Sequence, residues 1–216
     1  MDQVRQRLSA LPDPLPPVPR SVGPVVVGQV GALPGWVTSQ GGSGRRAAAL
    51  VLLYPDADGE ATLVLTERPT GELRHSGQIS LPGGAEEWGD EFPVGTALRE
   101  ATEEVGLDAA AAGVQTLGLL ETVDVRVSGF LLWPVLAIAQ RVPRLTPHAR
   151  EVASILHVPV THFLPDASIE LVEEERDGYR LRYGVYPFDG HRIWGATARI
   201  LGQLGAVLGK PRASGG

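Results

Sequence analysis

Short apolar runs alternate with polar, glycine-bearing breaks along most of the chain, and two longer stretches change period. Residues 47–54 and 61–66 are apolar and rich in branched side chains, separated by Asp56-Ala57-Asp58-Gly59, which predicts two strands joined by a loop turn. A short strand is expected over 78–81. Over 92–105 the apolar residues Val94, Leu98, Ala101 and Val105 recur at helical spacing, predicting a helix with one buried stripe. Pro93 suits its first turn and Gly106 its stop. Residues 114–127 and 130–139 predict paired strands joined near Ser128-Gly129. A strand over 153–158 leads into a helical turn over 160–163. A hairpin over 170–175 and 179–186 bends at Asp177-Gly178, and 194–208 form the last helix. Strands dominate and two helices are substantial, so the expected fold class is α/β, a sandwich around a mixed β-sheet.

The first part of the chain has another texture. Residues 2–10 suit a short helix, but Pro12, Pro14, Pro16, Pro17 and Pro19 disfavour regular structure and favour extended chain. Gly41-Gly42-Ser43-Gly44 marks a flexible break. The expected organisation is an arm over 1–44, one domain over 45–210 and a tail over 211–216. The arm either wraps the domain or meets a partner subunit, as in a homodimer, or hangs as a loose tail.

Composition narrows the chemistry. The 216 residues contain no cysteine, which excludes disulfides, thiolate zinc sites and cysteine nucleophiles. The net charge is −6 and Lys210 is the sole lysine, which argues against nucleic acid as a partner. No apolar run approaches a membrane span, and the N-terminus lacks a secretory core, so a cytoplasmic protein is expected. The preference for arginine, glycine, alanine and valine suggests a GC-rich bacterial genome.

Glu100, Glu103 and Glu104 fall on one face of the predicted 92–105 helix, just after a Gly83-Gly84 turn. Like charges at these spacings repel by roughly 0.2–0.5 kcal/mol per pair. A cation that neutralises them explains the cluster, and hard carboxylate oxygens suit Mg²⁺ or Mn²⁺. Glu100 and Glu104 lie one turn apart and can share a metal; Glu103 can hold a second metal or a water. Arg99 can fix carboxylates through bidentate hydrogen bonds. Gly83 and Gly84 let backbone approach without Cβ clashes. A glutamate-rich surface helix is the bland alternative.

Residues 84–107 resemble the signature of the Nudix hydrolases, G-x5-E-x7-R-E-U-x-E-E-x-G-U with U a bulky apolar residue. Glu91, Arg99, Glu100, Glu103, Glu104, Gly106 and Leu107 match in register. Two positions depart: Ala101 is small, and six residues rather than five separate Gly84 from Glu91. That extra residue leaves either Asp90 or Glu91 as the acid at the helix start. The resemblance implies hydrolysis of a diphosphate-linked substrate with metal-activated water, and a general base drawn from Glu103 or Glu151.

The run from Leu63 to Gly84, with Arg68 and His75-Ser76-Gly77-Gln78 inside it, resembles the coenzyme A pyrophosphatase branch of that family, as do Thr96 to Ala101 and Arg192 to Ala198. Pro69, Leu81 and Arg74 depart from that branch's pattern. The branch implies coenzyme A or a derivative as small-molecule substrate, cut to 4′-phosphopantetheine and adenosine 3′,5′-bisphosphate. Another nucleoside diphosphate derivative, or a non-catalytic nucleotide sensor, are the alternatives. Arg68, Arg74, His75 and Gln78 are the candidate substrate contacts. Trp194 is expected in the core ahead of a base-stacking role, Glu173-Glu174-Glu175 on a solvated edge, and His148, His157, His162 and His191 in structural or exposed positions.

Overall fold

A computed structural model describes residues 1–29, 44–70, 77–125, 128–176 and 179–209. The turn at Asp177-Gly178, the tail over 211–216, and Arg74 and His75 lie outside them. The elements are α1 (Asp2–Leu8), β1 (Val25–Gln29), β2 (Arg45–Pro55), β3 (Ala61–Glu67), β4 (Ile79–Ser80), β5 (Gly83–Ala85), α2 (Val94–Val105), α3 (Ala109–Ala112), β6 (Gln115–Leu119), β7 (Val123–Val125), β8 (Phe130–Ile138), β9 (Ser154–Pro159), β10 (Glu170–Arg176), β11 (Tyr179–Phe188), β12 (His191–Ile193) and α4 (Gly195–Leu208). No helix among the described residues is long and apolar enough to cross a membrane.

Strand β2 organises the larger, mixed sheet. It runs parallel to β8 from Arg45↔Phe130 to Leu53↔Ile138, and antiparallel to β3 at one end and β5 at the other. Strands β4 and β9 pair with β3, and β6 and β7 with β8. Its apolar run is continuous because both faces are covered. Ala48, Leu50, Leu52 and Tyr54 pack with Ala97, Ala101 and Val105 of α2; Ala49, Val51 and Leu53 pack with Ile200, Leu201 and Leu204 of α4. A smaller sheet has the order β1-β11-β10, with β12 joined to β11.

Besides the added short strand β12, four features differ from the expected elements. The strand expected over 114–127 is two strands, with Leu120 between them donating its amide to the Pro134 carbonyl of β8. The Gly83-Gly84 turn is itself a strand. A built Cβ at Gly83 would lie 2.4 Å from the Ala48 carbonyl oxygen, so only glycine lets β5 approach β2 this closely. The α3 turn, capped by Asp108, is an additional element. The fourth difference is β1, which pairs with β11 although the preceding prolines suggested only extended chain.

Residues 1–29 pack on the rest of the molecule. Leu8 is 1% exposed and Val22 fully buried within the same core as α4. Arg5 donates to the Ala139 carbonyl, and Arg7 to the carbonyls of Leu208, the last residue of α4, and of Gly209. Gln203 of α4 donates to the Pro16 carbonyl.

Candidate active site

Helix α2 is set by its apolar stripe and ended by Gly106, whose φ of 65° is left-handed and whose amide returns to the Ala101 and Thr102 carbonyls. The Glu104 and Val105 carbonyls also receive the amides of His148 and Thr146. The segment carrying Glu151 is therefore tied to the backbone of Glu104 itself. The helix lays its polar face against β5.

Glu104 is 8% exposed, and its carboxylate accepts the Gly83 amide at 3.2 Å. Burial, aided by the negative charges of Glu100 and Glu151, raises its pKa to about 7 against the opposing pull of the Gly83 amide and Arg68. Glu100 is also raised, chiefly by burial and further by Glu103 and Glu151, with Arg99 opposing. A Cβ on Gly84 would lie 2.4 Å from Glu100 Oε1. The two glycines serve the acids differently: Gly83 donates its amide to Glu104, and Gly84, lacking a side chain, leaves the space that Glu100 fills.

Arg99 is the hub of the polar face. It meets Asp90 in a two-pronged pair, Nε to Oδ1 and Nη2 to Oδ2, each 3.1 Å. Its Nη2 also donates to the Ala85 carbonyl at 2.9 Å, and its Nη1 stands 3.0 Å from both Glu100 and Glu103. Asp90 further accepts from Thr96 and the Glu87 amide, and these bonds hold its carboxyl well below the usual range. The choice left open at the helix start is resolved geometrically: Asp90 carries the ion pair, while Glu91 is exposed.

Among the described residues no group of three carboxylate or imidazole side chains is arranged to hold a metal ion. Glu103 is turned outward to Arg99 and is half-exposed. Glu104, buried, and Glu100, partly buried, remain as a mutually repelling pair of hard oxygen donors. That pair fits a divalent cation, which would relieve the repulsion and the cost of burial. Glu151 is exposed and 3.5 Å from His148, yet near enough to act on both Glu100 and Glu104.

Of the candidate substrate contacts, Arg68 lies just past β3. Its amide donates to the Gln78 carbonyl and its own carbonyl accepts from Gly77. Gln78 lines a separate cleft of about 380 Å³, with Glu67, Glu174, Tyr183, Arg192 and Trp194 among its walls. Two expectations change there. Trp194 is half-buried at this cleft rather than in the core, and Glu174 accepts from the Tyr183 hydroxyl at 3.1 Å rather than simply facing solvent. His191 lines the cleft too, 3.9 Å from Glu67. The length of the loop before α2 was the signal that offered Asp90 beside Glu91 as the acid at the helix start.

The NUDIX domain family model matches residues 44–152. An uncharacterized Nudix hydrolase NudL of Pectobacterium atrosepticum is 35% identical over 162 residues, covering 74% of this chain and 81% of its own. Nudix hydrolase 15, mitochondrial, of Arabidopsis thaliana is 34% identical over 76% of this chain and 58% of its own. Among solved structures, a Nudix hydrolase of M. smegmatis, RenU, is 26% identical, with a TM-score of 0.46 over 55% of this chain and 72% of that one. The chain belongs to the Nudix hydrolase family, whose members generally use divalent metals such as Mg²⁺ or Mn²⁺.

Proposed function

We propose that this enzyme cleaves the diphosphate of coenzyme A or a derivative, releasing 4′-phosphopantetheine, or its acyl form, and adenosine 3′,5′-bisphosphate. The observation that carries the reading is the meeting of two regions at the end of β3. Arg68, the first cation of the run that resembles the coenzyme A branch, sits close enough to Glu104 to favour its ionised form. Gln78 from the same run faces the adjacent cleft. A substrate spanning both must be long and must carry negative charge at its middle.

Glu100 and Glu104 would hold Mg²⁺ or Mn²⁺, which supplies charge neutralisation of the diphosphate and a more acidic water. Arg99, braced by Asp90, keeps the Glu100 carboxylate in place. Arg68 offers positive charge to the phosphate oxygens. Glu151 serves as general base: Glu103 is engaged by Arg99, whereas Glu151 acts electrostatically on both Glu100 and Glu104 from another segment. Arg74 and His75 stand as further substrate contacts in this proposal. A cytoplasmic setting and a homodimer, the latter read by light scattering, belong to it as well.

Incubation of the protein with coenzyme A and Mg²⁺ in oxygen-18 water tests the reading by product mass and label position. Cleavage of ADP-ribose or a dinucleotide in preference to coenzyme A would reject it.

A further inference from the structure

The cleft beside Gln78 has a construction that packing alone does not require. Its back wall is Tyr183, 4% exposed, whose ring meets that of Trp194 with centroids 5.1 Å apart and planes tilted by 34°. The Tyr183 hydroxyl donates to Glu174 at 3.1 Å and accepts from Arg192 Nη2 at 3.2 Å, which fixes the ring from both sides. Trp194 stands where β12 turns into α4. Gly195, at φ 65°, lets the chain make that turn. Thr197, one residue pair further, donates its buried hydroxyl to the carbonyl of Ile79 at 3.1 Å. Ile79 adjoins Gln78, so the wall carrying Trp194 and the wall carrying Gln78 are pinned to each other.

We propose that this cleft seats the heteroaromatic base of a nucleotide, stacked on the Trp194 indole, with the Gln78 amide and the Arg192 guanidinium reading its edge. A half-buried indole braced by a fixed phenol is a rigid flat surface that suits a planar ring. The surroundings supply what a base edge needs: Gln78 both donates and accepts, and Arg192 has further N–H groups beyond the one used on Tyr183. The volume of about 380 Å³ is that of a small-ligand site. Consecutive residues connect it to the acids: Glu67 lines the cleft, and Arg68 acts on Glu104. The proposal rests on the reading above that the substrate is a nucleoside diphosphate derivative, and it assigns the base-bearing half of that substrate to this side of β3.

The test uses the full chain. Titration with adenosine 3′,5′-bisphosphate, followed by the indole N–H resonance that disappears in Trp194→Phe, should shift that resonance saturably; an unmoved resonance overturns the proposal. With metal present, Trp194→Leu should raise KM for coenzyme A about tenfold and leave kcat within about twofold, and Trp194→Phe should recover most of the loss. A folded Trp194→Leu protein with unchanged KM also overturns it. If the wild-type protein leaves coenzyme A intact but the indole still shifts, the substrate reading fails and the cleft assignment stands.

Discussion

Arg99 holds Asp90 by two parallel bonds of 3.1 Å, and through the same guanidinium it reaches Glu100 and Glu103. One planar cation thereby fixes the loop before α2 to the acids on that helix. A point-like ammonium cannot make this fork. Arg99→Lys is expected to weaken metal affinity and activity by about 10–100-fold, the usual effect of losing a residue that orients a ligand. Asp90→Asn should act in the same direction, and Glu91→Gln should be close to silent. Equal losses for Asp90→Asn and Glu91→Gln in metal titrations would contradict the assignment.

The second prediction concerns pH. The folded-state pKa of Glu104, about 7, lies above its ordinary value of 4.5. Its contribution to stability is therefore fully present below about pH 4.5 and is lost as pH rises through about 7. At about 1.4 kcal/mol per unit, the loss is roughly 3 kcal/mol. In metal-free protein, Glu104→Gln should abolish that part of the decline and raise Tm at pH 7.5 while removing activity. A decline of unchanged depth in the variant, followed by calorimetry across this range, would contradict it.

The adjacent glycines should fail differently. A Cβ at Gly83 meets the backbone of Ala48 and Ala49 at 2.4 and 2.6 Å, so Gly83→Ala should destabilise the fold by about 1–3 kcal/mol. At Gly84 the obstacle is the Glu100 carboxylate, which can swing aside. Gly84→Ala should keep its Tm within a few degrees and lose metal affinity. Thermal unfolding and Mn²⁺ titration of the two variants separate the cases.

Glu151→Gln is expected to lower kcat by about 10²–10⁴-fold with little change in KM, the range for removal of a general base. Glu103→Gln should cost less. The reverse ranking in steady-state kinetics would move the base onto α2.

Leu8 reports on the N-terminal segment. Leu8→Ala should cost about 2–5 kcal/mol, as for other fully buried leucines. Denaturant unfolding that leaves the midpoint unchanged would show that this contact contributes nothing.

Much of this was readable from the chain because local pattern and tertiary packing agree. The β2 run is apolar throughout since two helices cover it, and α2 has both its stripe and its glycine stop. What escaped depends on distant partners. Val25 and Val26 follow a proline-rich stretch, and nothing near them announces Arg182 and Leu181 as their strand neighbours. Gly83 and Gly84 have weak strand preference, and their pairing depends on the small Ala48 and Ala49 opposite. Helical spacing placed the three glutamates on one face but could not show that Arg99 would draw Glu103 outward. Likewise, a tryptophan opening an apolar helix reads as core until the neighbouring sheet shows where the packing stops.

The pairing of Val25 with Arg182 has a consequence for biosynthesis. Strand β1 is made long before β11 and has no edge to join until β11 follows. Closure of the smaller sheet is thus a late, long-loop event. Until then three consecutive valines at 25–27 remain an unsatisfied, sticky ribbon, and a slow or stalled translation would leave that ribbon open to capture by chaperones or by other nascent chains.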